Sequence, residues 1–318
     1  MRDGSQITRA ARLVEHGLPL RVEEVALPEP GPGEVQVRLR YGGVNPVDTY
    51  TAAGRVSPDG PLPRTLGAEA AGDLDGRPVL VAGEGLGGVR DGVWAQAAVV
   101  PREAVIELPA GVGHQEAAAM GIAGLTALNC VRRLAEVTPE DRVLVLGASG
   151  GVGSVIVSLA RSAGATVWGH TGSPEKAPAI VEMGAERVVV GGPERIAAEI
   201  AEFTPTAVFD PLGGAFVEPV VQAIAPRGRI VSFGVSAGAE VTFNLQVLYR
   251  KMVSLLGYAG MLLTREERRS GLEAALQALQ AGELKVRIDA VLPLQDVNEA
   301  FARLAERRVQ GNVLLDLS

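Results

Sequence analysis

The 318-residue chain has little cysteine, no cluster of basic residues and no long apolar run, and each of these absences excludes a class of protein. Its single cysteine, Cys130, excludes an internal disulfide and any zinc site that needs several thiolates, and its helical neighbours indicate a buried structural thiol. The net charge is -7 and the 30 cations are scattered without a basic cluster, so nucleic acid is not an expected partner. Because the polar N-terminus MRDGSQITRA has no signal-peptide core and no apolar run reaches about 18 residues, we expect a cytoplasmic protein with no membrane partner.

What the chain does contain is enough apolar sequence for two domains. Hydrophobic residues make up 47%, charged residues 21%, and the net charge is -7. A chain of this length exceeds what one ordinary hydrophobic core can organise, so two domains are expected.

The three histidines, His16, His114 and His170, show no ligand spacing. We expect them at the surface or in turns, without a catalytic role.

From about residue 20 to 108 the pattern is alternating and rich in turns. Strand-like runs cover residues 35–41, 78–82 and 93–100, with Gly- and Pro-rich segments between them. Alternation of this kind is typical of half-buried strands, and no long helical pattern interrupts it. This half is predicted to be a β-barrel or sandwich.

Near residue 115 the texture changes to helical segments that alternate with short apolar strands. The predicted strands are 142–146, 166–169, 187–190, 207–210, 228–233 and 254–257. Six such units predict a doubly wound parallel sheet, an α/β architecture. Two amphipathic helices, 265–281 and 295–306, follow it. The sequence leaves open where this tail packs, although the β-rich half lacks helices to cover it.

The segment VLVLGASGGVG, residues 143–153, joins a buried strand to a helix through small residues. Small residues at that junction let a pyrophosphate approach bare backbone amides at the helix N-terminus. Aligned with the GxGxxG fingerprint, the positions are Ala148, Gly150 and Gly153, so alanine replaces the first glycine. The context favours dinucleotide binding, and the alternative is a tight turn without a ligand.

The end of the second strand predicts which dinucleotide binds. NAD-binding domains place a carboxylate there for the ribose, whereas this chain has Thr171, followed by Ser173 and Lys176. A hydroxyl and a cation favour the 2′-phosphate of NADPH. The alternative is that Lys176 is a solvated surface lysine.

Four segments together carry a resemblance that covers nearly the whole chain: NPVDTY (45–50), GAEAAG (67–72), GLTA (124–127) and ASGGVG (148–153). They resemble the zinc-independent quinone oxidoreductases, the zeta-crystallin-like branch of the medium-chain dehydrogenase/reductase superfamily. The resemblance implies a Rossmann domain, residues 121–258, inserted in a GroES-like β-barrel domain formed by residues 1–120 and 259–318.

Zinc-dependent relatives bind their catalytic metal through a cysteine and a histidine at the positions of Asn45 and Ala68. Their structural zinc uses four cysteines in a lobe that corresponds to residues 83–92, which contain none. The resemblance therefore implies no metal and excludes a zinc alcohol dehydrogenase. It implies hydride transfer from NADPH to a small-molecule acceptor, either a quinone or an α,β-unsaturated carbonyl.

The resemblance also names site residues. Asn45, Asp48 and Tyr50 are the implied catalytic residues, in a cleft beside the nicotinamide, with Asn45 as amide donor, Tyr50 as hydrogen-bond donor and proton source, and Asp48 orienting both. A satisfied turn in the β domain is the alternative for all three. Glu69 is expected to support the fold by hydrogen bonding. The implied NADPH-binding residues are Asn45, Thr126, Ser149, Gly150, Gly151, Val152, Gly153, Thr171, Ser173, Lys176, Gly234 and Val235.

Three positions depart from the family pattern: Gly191 replaces a common tyrosine, Pro211 a serine and Asn312 a lysine. These losses leave Lys176 with more of the phosphate binding. Two other functions stay open, an enoyl-thioester reductase and a non-catalytic NADPH-binding structural or regulatory protein. By analogy with the family, a homodimer formed through the edge strand at 253–257 is expected.

Overall fold

The computed structural model describes residues 6–318, and sixteen strands lie within them. The strands are β1 (Gln6–Leu13), β2 (Arg21–Leu27), β3 (Glu34–Val44), β4 (Arg64–Thr65), β5 (Glu69–Leu74), β6 (Arg77–Ala82), β7 (Ala97–Pro101), β8 (Val105–Glu107), β9 (Arg142–Val145), β10 (Thr166–Thr171), β11 (Arg187–Val190), β12 (Ala207–Asp210), β13 (Arg229–Ser232), β14 (Ser254–Gly257), β15 (Ile288–Pro293) and β16 (Asn312–Asp316).

Ten α-helices lie in the same described range. They are α1 (Pro46–Ala52), α2 (His114–Ala118), α3 (Ala123–Leu128), α4 (Gly151–Ser162), α5 (Ala177–Glu182), α6 (Pro193–Phe203), α7 (Val217–Ala223), α8 (Leu245–Arg250), α9 (Arg265–Gln280) and α10 (Val297–Ala305). A π-helix, Asn129–Leu134, directly continues α3. Within residues 6–318, none of the helices combines the length and the apolar character that spanning a membrane requires.

The chain divides into two compact units. The β unit comprises residues up to 122 together with 264–280 and 288–318, and the Rossmann unit comprises 123–263 and 281–287. The sequence-based boundaries, 120/121 and 258/259, lie within a few residues of two of these divisions. The segment 281–287 was expected in the β domain.

Three contacts explain why residues 281–287 group with the Rossmann unit. The Lys285 N–H donates to the Ser158 hydroxyl at 3.0 Å. Arg287 pairs with Glu182 at 2.8 Å, and Glu283 pairs with Arg132. The pattern of apolar residues carries no signal for these polar contacts, so sequence reasoning had no basis for separating the segment from the tail around it.

In the β unit, the C-terminal tail completes the main sheet. Its order is β15-β16-β3-β5-β6-β8, with β7 paired to β3, and a second sheet has the order β2-β1-β4. The buried Trp94 ring lies against Gly42, where an ideal Cβ would come within 2.6 Å of it, and meets Phe301 of α10 edge to face at 5.8 Å. The tail therefore contributes both a central strand and a core aromatic to the unit that begins the chain.

The Rossmann unit contains one parallel sheet in the order β11-β10-β9-β12-β13-β14. Its central strands are continuous apolar runs because helices cover both faces, and Val145, Phe209 and Val231 are fully buried. The strand order reverses between β9 and β12, which is the position where such sheets bind ligands outside the carboxyl ends of their strands. All six predicted strands are present, and the predicted fold class is confirmed.

Candidate coenzyme and catalytic sites

The glycine-rich turn begins one residue earlier than the sequence alignment placed it. Gly147, directly after β9, has φ +58°, a left-handed conformation that glycine adopts without strain. An ideal Cβ there would lie 3.2 Å from Pro211, which follows β12. Gly147 thus takes the tight-turn role of the fingerprint's first glycine. The alignment on Ala148 missed it, although the glycine at 147 was visible in the sequence.

The other two fingerprint positions have glycine for different reasons. At Gly153 an ideal Cβ would lie 2.9 Å from the Ala148 backbone, so helix–turn packing requires glycine. At Gly150 the nearest atom is 3.5 Å away, an ordinary contact. The protein itself therefore does not require glycine at 150. Open space there, at the N-cap of α4, is what close approach of a phosphate needs.

Helix α4 directs free backbone donors toward that open space. The first helical bond runs from the Ser154 N–H to the Gly150 carbonyl at 2.9 Å. By helix geometry, the amides of Gly151, Val152 and Gly153 have no carbonyl partner within the helix. The residues present therefore fit a pyrophosphate, which helix N-termini bind through such amides.

His170 lies under this turn, and the expectation that it is a surface or turn residue is wrong. It is 2% exposed, in β10, because the strand is buried on both faces. Its Nε2 lies 2.9 Å from the Gly191 carbonyl, and its Nδ1 lies 3.5 Å from the Gly147 N–H. Burial lowers the His170 pKa. The neutral ring, with the proton on Nε2, therefore satisfies both contacts and links the turn to the end of β11.

The carboxyl end of β10 carries the residues expected to choose the coenzyme. Thr171 is buried, and its hydroxyl accepts from the Ser173 N–H at 3.3 Å. Lys176 is only 9% exposed, so it is not a solvated surface lysine. Glu175 lies beside Ser173 and Lys176, and its backbone amide and the Ser173 side chain lower its pKa, with a smaller effect from Lys176. The end of β10 thus has a carboxylate nearby that the sequence interpretation did not include.

Two loops follow β12 and β13 at the same end of the sheet. The buried Asp210 accepts the N–H groups of Leu212 and Gly213 at 2.8 and 2.9 Å. Gly234 packs against Pro211, where an ideal Cβ would lie 2.9 Å from the Pro211 carbonyl oxygen. Val235 is exposed beside it. Thr126 belongs to the same unit, buried on α3.

In the β unit, Asn45 and Asp48 form the start of α1. The Asn45 N–H donates to Asp48 Oδ2 at 2.8 Å, and the Asp48 N–H donates to the Asn45 carbonyl at 3.0 Å. Burial raises the pKa of Asp48 to about 7, against the lowering effect of hydrogen bonds from the Asn45 and Ala68 amides. Tyr50, on the same helix, is 37% exposed. Tyr50 is therefore the most accessible residue of the three.

Glu69 joins this helix start to the rest of the unit. Asn45 Nδ2 donates to Glu69 Oε1 at 2.5 Å, and the Ile122 N–H donates to Glu69 Oε2 at 2.6 Å. Burial raises the pKa of Glu69 to about 8, although the bonds from Asn45 and Ile122 lower it. The expected support of the fold by hydrogen bonding is present. The pairing of the Glu69 carboxyl with Asn45 was not predicted, because β5 and α1 are separated in sequence.

The predicted residues thus fall into two groups, one in each unit. At the carboxyl ends of the strands in the Rossmann unit lie residues 149–153, Thr171, Ser173, Gly234 and Val235. In the β unit, Asn45, Asp48 and Tyr50 share one helix start, with Glu69 bonded to Asn45.

Cys130 is buried, and burial raises its pKa to about 12, which is consistent with a structural thiol. Among residues 6–318 no cluster of three or more His, Cys, Asp or Glu side chains has the arrangement of a metal site.

Comparison with known proteins identifies dehydrogenases and quinone oxidoreductases as relatives. The family model described as zinc-binding dehydrogenase matches residues 151–281. Quinone oxidoreductase 1 of Escherichia coli (strain K12) is 31% identical over 324 residues, covering 95% of this chain and 97% of that protein.

Two solved structures share the fold over the same length. A protein described as NAD-dependent alcohol dehydrogenase superposes with a TM-score of 0.88 at 30% identity, covering 98% of this chain and 100% of that one. A mycobacterial protein solved in complex with NADPH superposes with a TM-score of 0.85 at 25% identity, covering 97% and 99%. The two descriptions name different coenzymes.

Proposed function

The chain belongs to the quinone oxidoreductase family of the medium-chain dehydrogenase/reductases, and from that premise we propose that it transfers hydride from NADPH to a quinone or an α,β-unsaturated carbonyl without zinc. The relatives identify the chain as an oxidoreductase of this superfamily. The observation that best supports a bound dinucleotide is the contrast between Gly150 and Gly153. Packing explains glycine at 153, whereas space for a bound phosphate is what explains it at 150.

The Rossmann unit supplies the groups for the coenzyme. The amides of residues 151–153 and the hydroxyl of Ser149 would hold the pyrophosphate, and Gly234 and Val235 would lie along the nicotinamide half. Thr171, Ser173 and Lys176 would hold the adenosine ribose and its 2′-phosphate. Bound NADPH supplies the hydride, and the protein's own residues bind and orient it.

The β unit supplies the groups for the acceptor. Asn45 would donate to the acceptor carbonyl as negative charge develops there, and the exposed Tyr50 phenol would bind the same oxygen and provide a proton. Asp48, which caps α1 through the Asn45 N–H, would hold the two in place. Positions 45 and 68 carry an amide and a methyl group, which are not thiolate or imidazole ligands, and this supports zinc independence.

A panel of acceptors tests the activity. We expect 1,4-quinones or enones to be reduced with oxidation of NADPH, and more slowly with NADH at equal concentration. An acyl thioester in the same panel distinguishes the enoyl reductase chemistry. NADPH binding without turnover of any acceptor would leave only a nucleotide-binding role, and treatment with a strong chelator should leave the rate unchanged.

Coenzyme preference depends on two adjacent side chains of opposite charge. We expect Lys176→Gln to lower the kcat/KM ratio of NADPH to NADH by at least about tenfold, because a charge-assisted hydrogen bond to the phosphate contributes about 1.5–3 kcal/mol. Glu175→Gln should raise the same ratio by a few-fold, since it removes a repulsive charge next to Ser173. Equal ratios in all three proteins would contradict the assignment of this pocket to the 2′-phosphate.

A second copy of the chain is the proposed partner of strand β14. This strand is last in its sheet, with β13 as its neighbour, and Leu255 is 48% exposed. Unpaired sheet edges pair with other strands, and large exposed apolar patches mark interfaces. Further exposed apolar side chains within the same segment are Val241, Leu245, Tyr249, Met252, Met261 and Leu262.

Light scattering after gel filtration tests this dimer. Leu255→Arg should convert the wild-type dimer to a monomer, because a buried unpaired charge opposes association. Val89→Arg is the matched control, since Val89 is an exposed apolar residue of the β unit. A monomeric wild-type protein would contradict the proposal.

A further inference from the structure

The Glu69 carboxyl has a fixed orientation. Its Oε2 accepts the Ile122 N–H, and the Gly121 N–H also bonds to this carboxyl. An ideal Cβ at Gly43 would overlap Oε1, and one at Gly121 would overlap Oε2, so the glycines on both sides leave room for the carboxyl and little more. Because backbone amides only donate, the oxygen at residues 121–122 must be an acceptor in every protonation state. The oxygen that faces Asn45 is therefore where Glu69 carries a proton.

The protonation state of that oxygen dictates which end of the Asn45 carboxamide it meets. An ionised carboxylate accepts, so Asn45 turns Nδ2 toward it and Oδ1 away, as in the structure. A protonated carboxyl donates from Oε1, so the amide must turn by a half rotation, with Oδ1 toward Glu69 and the NH2 group away. A carboxamide is nearly the same shape in both orientations, so the exchange needs little repacking.

We propose that Glu69 is a positioning residue that determines which end of the Asn45 carboxamide is presented to the electron acceptor. Protonated Glu69 presents the NH2 group, which donates to a carbonyl oxygen as it gains negative charge. When Glu69 is ionised, Asn45 presents its amide oxygen, which repels the carbonyl oxygen of the acceptor. This inference rests on the proposed function, since it assumes that Asn45 binds the acceptor carbonyl.

The surroundings of the Glu69 carboxyl determine the pH at which the amide exchange occurs. Burial raises the pKa of Glu69 to about 8, and the neighbouring Asp48 carboxylate raises it further, whereas the hydrogen bonds from Asn45, Ile122 and Gly121 lower it. Gly43 and Gly121, the glycines on either side of the carboxyl, carry no side-chain charge. Activity should therefore fall as the pH rises through about 8.

Glu69→Gln tests the inference because it fixes the presentation of the amide. The oxygen of the introduced carboxamide must accept from residues 121–122, so its NH2 group faces Asn45 and holds Oδ1, as protonated Glu69 does. We expect wild-type kcat to fall about tenfold per pH unit above the Glu69 pKa, as one ionising group requires, and the kcat of the variant to stay level. At pH 9, one unit above that pKa, the variant should exceed the wild type by about tenfold. The same alkaline decline in both proteins would overturn the inference.

Two further variants separate positioning from a general structural role. Asn45→Ala should lower kcat at every pH and abolish the alkaline decline, and it keeps the test available should Glu69→Gln fail to fold. Asp141→Asn is the control for loss of a buried carboxylate, since Asp141, which lies in the Rossmann unit, accepts from the Thr138 amide and the Thr206 hydroxyl and pairs with Arg229. It should lower the melting temperature and keep the wild-type alkaline decline.

A measurement without coenzyme distinguishes failure of the inference from failure of the proposed function. The chain has five asparagines, so 15N-asparagine labelling gives five side-chain amide pairs, and Asn45→Ala assigns one of them. The Asn45 signal should shift with a midpoint near pH 8 in the wild type and stay constant in Glu69→Gln. Absence of that titration overturns the inference whatever the activity. A titrating Asn45 in a protein that reduces no acceptor supports the amide exchange and overturns the proposed function.

Discussion

The candidate sites of the two units are made of different chemical groups. The Rossmann unit uses backbone: a left-handed Gly147, the amides that begin α4, and space where side chains are missing. The β unit uses buried side chains, with the Asp48 and Glu69 carboxyls on either side of Asn45. Burial lowers the pKa of His170 in the first site and raises those of both carboxyls in the second. Titration of His170 should therefore cost the first site stability in acid, and titration of the two carboxyls should cost the second site stability in alkali.

Glycine substitutions should have the largest effect on this comparison. Gly153→Ala forces a methyl group against the Ala148 backbone, which cannot move aside without breaking the turn, so we expect a loss of about 1–3 kcal/mol in stability and at least a tenfold loss of NADPH affinity. Gly150→Ala should keep the melting temperature and lose only affinity, because its methyl group meets no protein atom closer than 3.5 Å. Thermal unfolding with and without NADPH measures both. Equal losses of stability would show that packing, not ligand space, explains both glycines.

The same difference explains how much the sequence predicted. The six strands of the Rossmann unit and the turn at residues 148–153 were predicted because a buried strand, a small-residue turn and a helix are contiguous in sequence. Gly147 was missed only through the choice of alignment. Asn45 and Asp48 were predicted from one short motif.

The partners of those residues were not predictable in the same way. Glu69 reaches Asn45 across the pairing of β3 with β5, and Ile122 reaches Glu69 from a segment far along the chain. Burial of His170 depends on strands on both sides of β10. Such contacts between distant segments have no period or spacing in the sequence, so the electrostatic character of both sites appears only in the fold.

Asp48→Asn should reduce the loss of folding stability that we expect in the β unit as the pH rises. Because the folded-state pKa of Asp48 is raised from 3.8 to about 7, the folded protein binds more protons than the unfolded chain between these values. Stability from this group is therefore complete below pH 3.8 and is lost as the pH rises toward 7, at up to about 1.4 kcal/mol per pH unit. Asp48→Asn should flatten that slope, because a carboxamide does not titrate.

Fluorescence allows this slope to be measured for one unit at a time. The chain has two tryptophans, Trp94 in the β unit and Trp168 in the Rossmann unit. In a Trp168→Phe background, which keeps an aromatic ring stacked on Phe203, denaturant unfolding followed at Trp94 reports the β unit. An unchanged pH slope in Asp48→Asn would place the titrating group elsewhere.

His170→Gln should have the smallest effect, with the opposite sign. Burial holds the His170 pKa below its usual 6.5, so the folded unit binds fewer protons than the unfolded chain, and stability is lost as the pH falls below 6.5. Gln keeps a donor for the Gly191 carbonyl and an acceptor for the Gly147 amide, and it does not titrate. We therefore expect hydrogen exchange in β9 and β10 to accelerate between pH 6.5 and 5 in the wild type and to accelerate less in the variant, after correction for intrinsic rates. An identical acid response in both proteins would show that the ring under the glycine turn stays neutral without consequence for stability, and the contrast between the units would then rest on the two carboxyls alone.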